Sequence, residues 1–235
     1  MIEVKDMTFS YSTRGKDVFN GLNLYLESNA IYGLLGKNGM GQSTLLYLIC
    51  GLLRAQHGTV AIDGMRSELR LPEMLREMYI VTEDFDMPAM RLSEYVKANA
   101  MFYPNFSDEV MQKCLKEFEM EDDPMLSALS MGQKKKVCMS FAIATNTKYL
   151  IMDEPTNGLD IPSKAQFRKV IASAMTDDRT MIISTHQVHD IENLLDHVII
   201  LDNSEILLNS SVADICDKYV FEYRTPDDMT DVIYA

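Results

Sequence analysis

The N-terminal third of the chain alternates apolar and polar residues, as a strand with one buried face does. Residues 2–9 and 18–26 follow this alternation, and residues 58–64 form a shorter run closed by a turn. The period becomes helical between residues 91 and 120, with a second helix start at Ser107. The pattern therefore predicts an antiparallel N-terminal β layer followed by a helical insertion.

The second half contains three apolar runs that are too continuous for strands with one face in water. They cover residues 149–153, 180–185 and 197–201, and helical patterns at 162–175 and 188–195 separate them. Such strands are typical of a parallel sheet that is covered on both faces. The predicted fold class is therefore α/β, with a mainly parallel sheet.

Composition limits the classes of partner. The chain has 235 residues, of which 47% are hydrophobic, and this is enough for one sizeable domain that carries a subdomain. The 22 Lys and Arg are outnumbered by 35 Asp and Glu, so the net charge is −13, and a weakly patterned acidic tail follows Arg224. Because contacts to phosphate backbones need clustered Lys and Arg, we expect no nucleic-acid partner.

Neither the cysteines nor the N-terminus indicate secretion. The four cysteines lack the spacing of a zinc site or a disulfide framework. The first residues lack the basic segment and apolar core of a signal peptide, and the apolar runs fall short of the roughly 20 residues that span a bilayer. We therefore expect a cytoplasmic protein that reaches a membrane only through a partner.

A glycine-rich loop at residues 36–44 has the pattern of a phosphate-binding loop. Its glycines allow successive backbone N–H groups to curl around phosphate oxygens, and a predicted strand (30–35) and helix (43–53) flank it. The position that normally carries lysine holds Gln42, whose amide can donate a hydrogen bond without charge. The candidate phosphate-binding residues are Gly36, Lys37, Asn38, Gly39, Met40, Gly41, Gln42, Ser43 and Thr44.

Two carboxylates, Asp153 and Glu154, end the apolar run at 149–153, where open α/β sheets bind ligands. In phosphoryl-transfer sites the first such carboxylate holds Mg²⁺ together with a loop hydroxyl, here Ser43, and the second polarises the attacking water. The alternative is a solvated strand end. The phosphate loop upstream favours the catalytic interpretation.

A third element is the turn Leu129-Ser-Met-Gly-Gln133 before an apolar helix, for which Ser130 is also an ordinary N-cap. The order of the motifs favours a functional role for this turn over a simple N-cap. Residues 153–160 (DEPTNGLD) begin 23 residues after Ser130, and Ser184-Thr-His186 ends the next strand. With these motifs the chain resembles the ATP-binding-cassette (ABC) family over nearly all of residues 1–220.

The resemblance implies one P-loop NTPase domain over residues 1–235, with a helical subdomain at approximately 84–147. It also implies a head-to-tail dimer in which ATP lies between the phosphate loop of one cassette and the signature turn, here residues 129–133, of the other. In that arrangement Ser130 and Gly132, with Gln133 beside them, contact the γ-phosphate in trans.

The resemblance assigns further roles residue by residue. Tyr11 matches the aromatic residue that stacks on adenine, and His186 matches the histidine that reaches the γ-phosphate. Gly158-Leu-Asp160 matches the loop that couples the two sites, called the coupling loop below. Glu83 falls where the family generally has the glutamine that touches Mg²⁺, and a carboxylate there can still bind the ion. The resemblance thus assigns catalysis to Glu154 and His186, with Gln42 in the lysine position, and Mg²⁺ to Ser43, Glu83 and Asp153.

Gln42 admits three interpretations. Either the glutamine was engineered to block hydrolysis, or the site is naturally degenerate and binds nucleotide without turnover, or Lys37 takes the place of the missing lysine. The intact remainder of the machinery favours the first. We expect ATP and Mg²⁺ as ligands and weakened hydrolysis.

The function that the resemblance implies is that of the ATPase subunit of a membrane transporter. Two copies of the cassette would pair, and a permease on a separate chain would dock on the helical insertion at the inner face of the cell membrane. The alternatives are a soluble ABC protein without a permease and a nucleotide-dependent switch that does not hydrolyse ATP. The cargo and the direction of transport are not encoded in any motif.

Overall fold

The computed structural model describes residues 1–12 and 15–219. Within these residues the chain forms ten strands and seven α-helices. The strands are β1 (Ile2–Phe9), β2 (Phe19–Leu26), β3 (Ile31–Leu35), β4 (His57–Ile62), β5 (Met65–Arg66), β6 (Met78–Val81), β7 (Tyr149–Asp153), β8 (Thr180–Thr185), β9 (His197–Asp202) and β10 (Glu205–Ser211). The helices are α1 (Gln42–Ile49), α2 (Pro72–Leu75), α3 (Leu92–Asn99), α4 (Asp108–Glu117), α5 (Met131–Ala144), α6 (Ile161–Ala174) and α7 (Val212–Lys218).

The smaller sheet is antiparallel and has the order β2-β1-β4-β5. Its alternation buries one face, as the side chains of Ile2, Val4 and Met7 in β1 show. The predicted antiparallel N-terminal layer is therefore confirmed.

The larger sheet has the order β10-β9-β3-β8-β7-β6, and all its pairs are parallel except β10 with β9. Every residue of β7 and β8 is buried, which explains why these runs are apolar throughout. The prediction of a mainly parallel sheet is confirmed. Because β3, β8 and β7 are adjacent and parallel, the loops after their carboxyl ends meet at one edge.

The helical insertion lies between β6 and β7 and contains α3, α4 and α5. Ser107 caps α4, its hydroxyl accepting a hydrogen bond from the Val110 N–H at 3.2 Å. A separate apolar cluster joins the three helices, with Phe141 against the rings of Tyr95 and Phe106. The boundaries of this subdomain at 84–147 remain a prediction.

Two predicted helices differ in the structure. Residues 188–195 form two 3₁₀ segments, Val188–Asp190 and Glu192–Leu194, instead of an α-helix. Val188, Ile191 and Leu194 are three residues apart, a spacing that suits the three residues per turn of a 3₁₀ helix.

The helix predicted to run to Leu53 ends at Ile49. Gly51 follows with φ of +66°, and a Cβ atom there would lie 2.1 Å from the Ser67 carbonyl oxygen. This left-handed glycine turns the chain away from the helix axis. The acidic tail after Arg224, and with it the end of the predicted domain at 235, lie outside the described residues.

Across the part of the chain that the structure describes, no helix has both the length and the apolar character needed to cross a membrane.

Candidate functional site

The phosphate loop connects β3 to α1 and its conformation depends on glycine. Gly39 and Gly41 have φ of +82° and +102°, and a Cβ atom at Gly41 would lie 2.8 Å from the Phe19 ring. At Gly36 a Cβ atom would lie 2.5 Å from the Leu201 carbonyl oxygen. Gly41 is also the N-cap of α1 and brings no side chain, so the first N–H groups of that helix are available to an anion.

Gln42 folds back onto its own loop. Its side-chain Nε2 donates hydrogen bonds to the carbonyl oxygens of Leu34 at 3.4 Å and Gly36 at 3.2 Å, and the residue is 7% exposed. Both amide hydrogens are therefore engaged by the main chain. The oxygen that remains is an acceptor, which cannot donate to a phosphate.

The carboxylates at the end of β7 each have one engaged and one unengaged oxygen. Asp153 Oδ1 accepts a hydrogen bond from the Ser184 hydroxyl at 2.6 Å, and Glu154 Oε1 accepts one from the His186 main-chain N–H at 3.0 Å. The second oxygens, Asp153 Oδ2 and Glu154 Oε2, are buried without a hydrogen-bond partner among the described residues. A buried, unpartnered carboxylate oxygen calls for an ion or water.

These oxygens fit Mg²⁺, a hard cation that prefers oxygen ligands. The Ser43 hydroxyl lines the same cleft, as does Glu83. Among residues 1–12 and 15–219, no three His, Cys, Asp or Glu side chains converge as a complete metal cage. The donor set therefore suits an ion whose remaining ligands come from phosphates and water.

Tyr47 on α1 was missed by sequence reasoning. Burial raises the pKa of its hydroxyl to about 12, and the Asp153 carboxylate adds to the effect. Tyr47 thus stays a neutral hydrogen-bond donor near the carboxylates that end β7.

His186 contacts the catalytic candidate Glu154 directly. Its ring Nδ1 lies 2.7 Å from Glu154 Oε1, and the other nitrogen, Nε2, lies 3.1 Å from the Gln187 amide nitrogen. The Glu154 backbone has φ of +46°, a left-handed conformation that is uncommon outside glycine. The structure thus brings together the two residues that the sequence proposed for catalysis.

Lys135 lies behind this pair and was also missed, because it reads as part of a basic run. Its Nζ donates to the main-chain oxygens of Glu154 at 3.0 Å and Asn157 at 2.8 Å, and the residue is 5% exposed. Asn157 in turn donates from Nδ2 to Glu83 Oε1 at 2.8 Å. Burial lowers the pKa of Lys135, and the surrounding carboxylates, Glu83 foremost, oppose that shift. One sequence signal for its burial was available: Lys135 lies four residues before the buried Met139 and therefore on the same face of the helix.

Tyr11 reaches the end of the loop from the smaller sheet. Its hydroxyl is 2.9 Å from the Thr44 hydroxyl, its ring packs edge-on against Phe9, and 66% of the residue is exposed. A cleft of about 470 Å³ results. Its lining comprises Tyr11, Val18, Asn38, Gly39, Gly41, Gln42, Ser43, Thr44, Glu83, Asp153, Glu154, Asn157 and His186.

Three loop residues proposed from sequence lie outside this lining: Gly36, Lys37 and Met40. The Met40 sulfur faces the turn between β9 and β10, where it accepts from the Asn203 N–H at 3.4 Å. Lys37 is exposed.

A sequence-family model described as "ABC transporter" matches residues 19–157, more than half of the chain. The chain belongs to the ABC transporter family. It is an ATP-binding subunit of that family, whose cassettes are ATPases.

Relatives support this assignment along the chain. The ABC transporter ATP-binding protein YtrB of Bacillus subtilis is 23% identical over 94% of this chain and 75% of its own length. The high-affinity zinc uptake ATP-binding protein ZnuC of the same organism is 28% identical over 87% of this chain and 92% of its own.

Solved structures show the same fold. The ATP-binding subunit of an ABC transporter superposes with a TM-score of 0.81 at 24% identity, covering 92% of each chain. A dimeric bacterial ABC transporter cassette superposes with a TM-score of 0.77 at 23% identity, covering 90% of this chain and 99% of its own.

The signature turn of this ABC cassette is an N-cap in the isolated chain. Ser130 Oγ accepts from the Gln133 N–H at 3.3 Å, and Gln133 Oε1 accepts from the Ser130 N–H at 3.0 Å, which completes a capping box. A Cβ atom at Gly132 would lie 3.9 Å from the Gly158 carbonyl oxygen, so the signature turn adjoins the coupling loop.

Asp160 caps the next helix in the same way. Its Oδ1 accepts from the Ser163 N–H at 2.9 Å, and the hydrogen bonds from Ser163 lower the Asp160 pKa. Ser130, Gly132, Gln133 and Asp160 do not line the cleft described above. Within one chain, therefore, the structure keeps the residues proposed to act in trans apart from the phosphate loop.

Proposed function

We propose that this ABC cassette binds Mg·ATP in the cleft and pairs head-to-tail with a second copy. Paired in this way, it drives a separate membrane permease from the cytoplasmic face. The observation that carries the proposal is the convergence of Ser43, Asp153 Oδ2 and Glu154 Oε2 on one cleft beside an uncapped helix start. Backbone N–H groups of that helix and loop would hold the phosphates.

The residues fall into distinct roles under this proposal. Ser43, Asp153 and Glu83 would hold Mg²⁺, which supplies charge neutralisation to the phosphates when it is bound. Glu154 would orient and polarise the attacking water, since its buried Oε2 has no other partner. His186 would contact the γ-phosphate, and the exposed face of Tyr11 would stack on adenine.

Pairing with a second cassette is proposed because one chain does not bring all the proposed site residues to the cleft. The cleft is open, and the signature turn with its exposed Met131 lies elsewhere on the chain. Structural neighbours that share this fold were solved as cassette dimers, one of them bound to ADP and phosphate. A second copy would present Ser130, Gly132 and Gln133 to the nucleotide, with Asp160 at the contact.

The permease would dock in a second cleft, of about 490 Å³, between the sheet core and the helical insertion. Its rim carries exposed apolar side chains from both parts: Leu52 at 49%, Met101 at 76% and Phe102 at 61% exposure. Arg70 and Arg76 flank them. Exposed apolar side chains rimmed by charge suit a short amphipathic segment of a partner.

Mg·ATP affinity tests the cleft assignment. Tyr11→Ala should weaken binding about tenfold, the value of an aromatic stack on a base. Tyr25→Ala is the matched control, because Tyr25 is a half-exposed tyrosine on β2 outside the cleft. Equal affinity in both variants, or a parent protein that does not bind Mg·ATP, would refute the proposal.

A nucleotide-dependent switch without turnover is the second candidate. The geometry of Gln42 favours it, because both amide hydrogens are held by main-chain carbonyls. Binding and ATP-dependent dimerisation with no phosphate release would distinguish a switch from a slow ATPase.

A further inference from the structure

Gln56 precedes β4 and bonds to the end of β1 through both its main chain and its side chain. Its main-chain N–H donates to the Thr8 carbonyl oxygen at 3.0 Å. Its side-chain Oε1 accepts from the Ser10 N–H at 2.9 Å, and its Nε2 donates to the Ser10 carbonyl oxygen at 2.7 Å. The orientation of the amide is fixed by chemistry, because a main-chain N–H only donates and a carbonyl oxygen only accepts.

The two side-chain hydrogen bonds have the pattern of a strand pair. In an antiparallel ladder, two opposite residues exchange both of their N–H···O=C bonds, and the Gln56 amide exchanges the same two bonds with Ser10. The main-chain ladder between β1 and β4 ends with the pair Thr8 and His57. The Gln56 side chain therefore extends the contact between the two strands beyond the point where their main-chain ladder ends.

Tyr11 follows Ser10 directly and depends on this main chain for its direction. The ring packs edge-on against Phe9 with the ring centroids 5.0 Å apart, and its hydroxyl lies 2.9 Å from the Thr44 hydroxyl. The Ser10 hydroxyl donates to the Ser12 carbonyl oxygen at 3.0 Å, so the main chain on both sides of Tyr11 is tied to Ser10. A side chain that is 66% exposed has few other contacts to hold it, and fixing it in one orientation costs conformational entropy.

We propose that Gln56 is a positioning residue that holds Tyr11 in place at the cleft. By bonding both main-chain groups of Ser10, it orders the segment that carries the tyrosine before a nucleotide arrives. Its consequence for affinity rests on the proposed function, in which Tyr11 stacks on adenine. Preorganisation of the ring then favours binding, because the entropy of ordering it has already been lost.

The effect of Gln56 is local. The residue is exposed, and so are its two hydrogen bonds to Ser10. Water can bond to the Ser10 groups when the amide is removed, so no buried polar group is left unpaired. Substitution of Gln56 should therefore loosen the segment around Tyr11 and leave the rest of the fold intact.

Fluorescence anisotropy measures the order of residue 11 without any nucleotide. The chain contains no tryptophan, so Tyr11→Trp introduces a single fluorophore at this position. Adding Gln56→Met, which has similar length but no amide, should lower the anisotropy of that tryptophan. An unchanged anisotropy overturns the proposal, and this result is obtained whether or not the protein binds ATP.

A double-mutant cycle on Mg·ATP affinity tests the consequence. Gln56→Met should weaken binding about three- to tenfold, with the loss in Tyr11→Ala as its ceiling. In the Tyr11→Ala background the same substitution should change nothing, because the ring on which Gln56 acts is gone. An equal loss in both backgrounds, or no loss in either, overturns positioning through Tyr11.

Magnesium tripolyphosphate separates the base from the phosphates. It has no adenine, so its affinity should be the same in the parent and in Gln56→Met. A merely structural role for Gln56 would weaken tripolyphosphate as much as ATP, and that result overturns the proposal.

The chain offers a matched control in Gln112, an exposed glutamine on α4 that lies outside the cleft lining. Gln112→Met should leave the anisotropy of Tyr11→Trp and the affinity for Mg·ATP unchanged. A change equal to that of Gln56→Met would contradict a specific role for Gln56. If Tyr11→Ala binds Mg·ATP like the parent, the proposed stacking fails, while the anisotropy still decides whether Gln56 orders residue 11.

Discussion

Replacing Gln42 with lysine should restore the charge that the phosphate loop lacks. Three carboxylates, those of Glu83, Asp153 and Glu154, line the cleft, and the described lining residues include no Lys or Arg. A lysine side chain at position 42 would start from the first turn of α1, beside the N–H groups proposed to hold phosphate. The substitution thus adds one positive charge where the triphosphate would lie.

The magnitude follows from what is gained and what is lost. A charge-assisted hydrogen bond contributes about 1.5–3 kcal/mol, which corresponds to roughly ten- to a hundredfold in affinity. The two hydrogen bonds lost from Gln42 are long, at 3.2 and 3.4 Å, so their loss offsets little of that gain. Turnover should rise by more, about 10²–10³-fold, because the added charge faces charge that develops in the transition state.

Two assays measure these effects: isothermal titration calorimetry with Mg·ATP, and steady-state phosphate release. Gln42→Met is the matched control, since methionine has similar length but neither donor nor charge. It should bind like the parent, because the Gln42 N–H groups are already engaged by main-chain carbonyls.

Two results would refute this reasoning. Affinity and turnover of Gln42→Lys within twofold of the parent would show that charge at this position is not what limits the site. A large loss of affinity in Gln42→Met would show that the Gln42 amide contacts the phosphates after all.

Four further predictions concern single side chains. Lys37→Ala should leave Mg·ATP affinity intact, and loss of binding would instead support rescue by Lys37, which lies outside the cleft lining. Lys135→Met should lower the free energy of unfolding in urea by about 1–3 kcal/mol, because one buried and one partly buried carbonyl lose their donor; an unchanged midpoint would contradict this. Burial raises the pKa of Asp63, but hydrogen bonds from Lys148, the N-terminus and Tyr149 together outweigh it and hold the pKa at about 2, below its usual 3.8. Its stabilising effect is therefore present above about pH 4 and lost as the pH falls towards 2, so the stability difference between parent and Asp63→Asn should shrink across that window in acid titrations. Ser130→Asp keeps the N-cap but sets a carboxylate against the γ-phosphate, so thermal stability should hold while ATP-dependent dimerisation in sedimentation is lost; retained dimerisation would count against contact in trans.

Patterns that depend on local chemistry were predictable from the sequence. The continuous apolar runs of β7 and β8 indicated strands buried on both faces, and Ser107 marked the start of α4. The phosphate loop was identifiable because only glycine fits at Gly36 and Gly41. In each case one physical requirement acts over a few neighbouring residues.

Features that depend on contacts across the fold were not predictable. The hydrogen bonds from Gln42 to the Leu34 and Gly36 carbonyls depend on the rotamer of the glutamine, which a sequence pattern does not specify. From the sequence, Lys135 is predicted to be a surface charge, and only the packing of α5 against the turn after β7 buries it. Residues 188–195 read as an α-helix because spacings of three and four are hard to separate over eight residues.

The charges at the site explain why Mg²⁺ would matter more here than the loop side chain does. Relative to the family pattern, Gln42 removes one positive charge and Glu83 adds one negative charge. Lys135 returns a positive charge, but its ammonium is buried behind the cleft wall on two main-chain carbonyls and does not line the cleft. It therefore stabilises the carboxylates without reaching a phosphate. Under the proposed function, the neutralising charge must come from an ion held by Ser43, Glu83 and the free oxygen of Asp153, and ATP affinity should depend on that ion more strongly than in a cassette with the loop lysine.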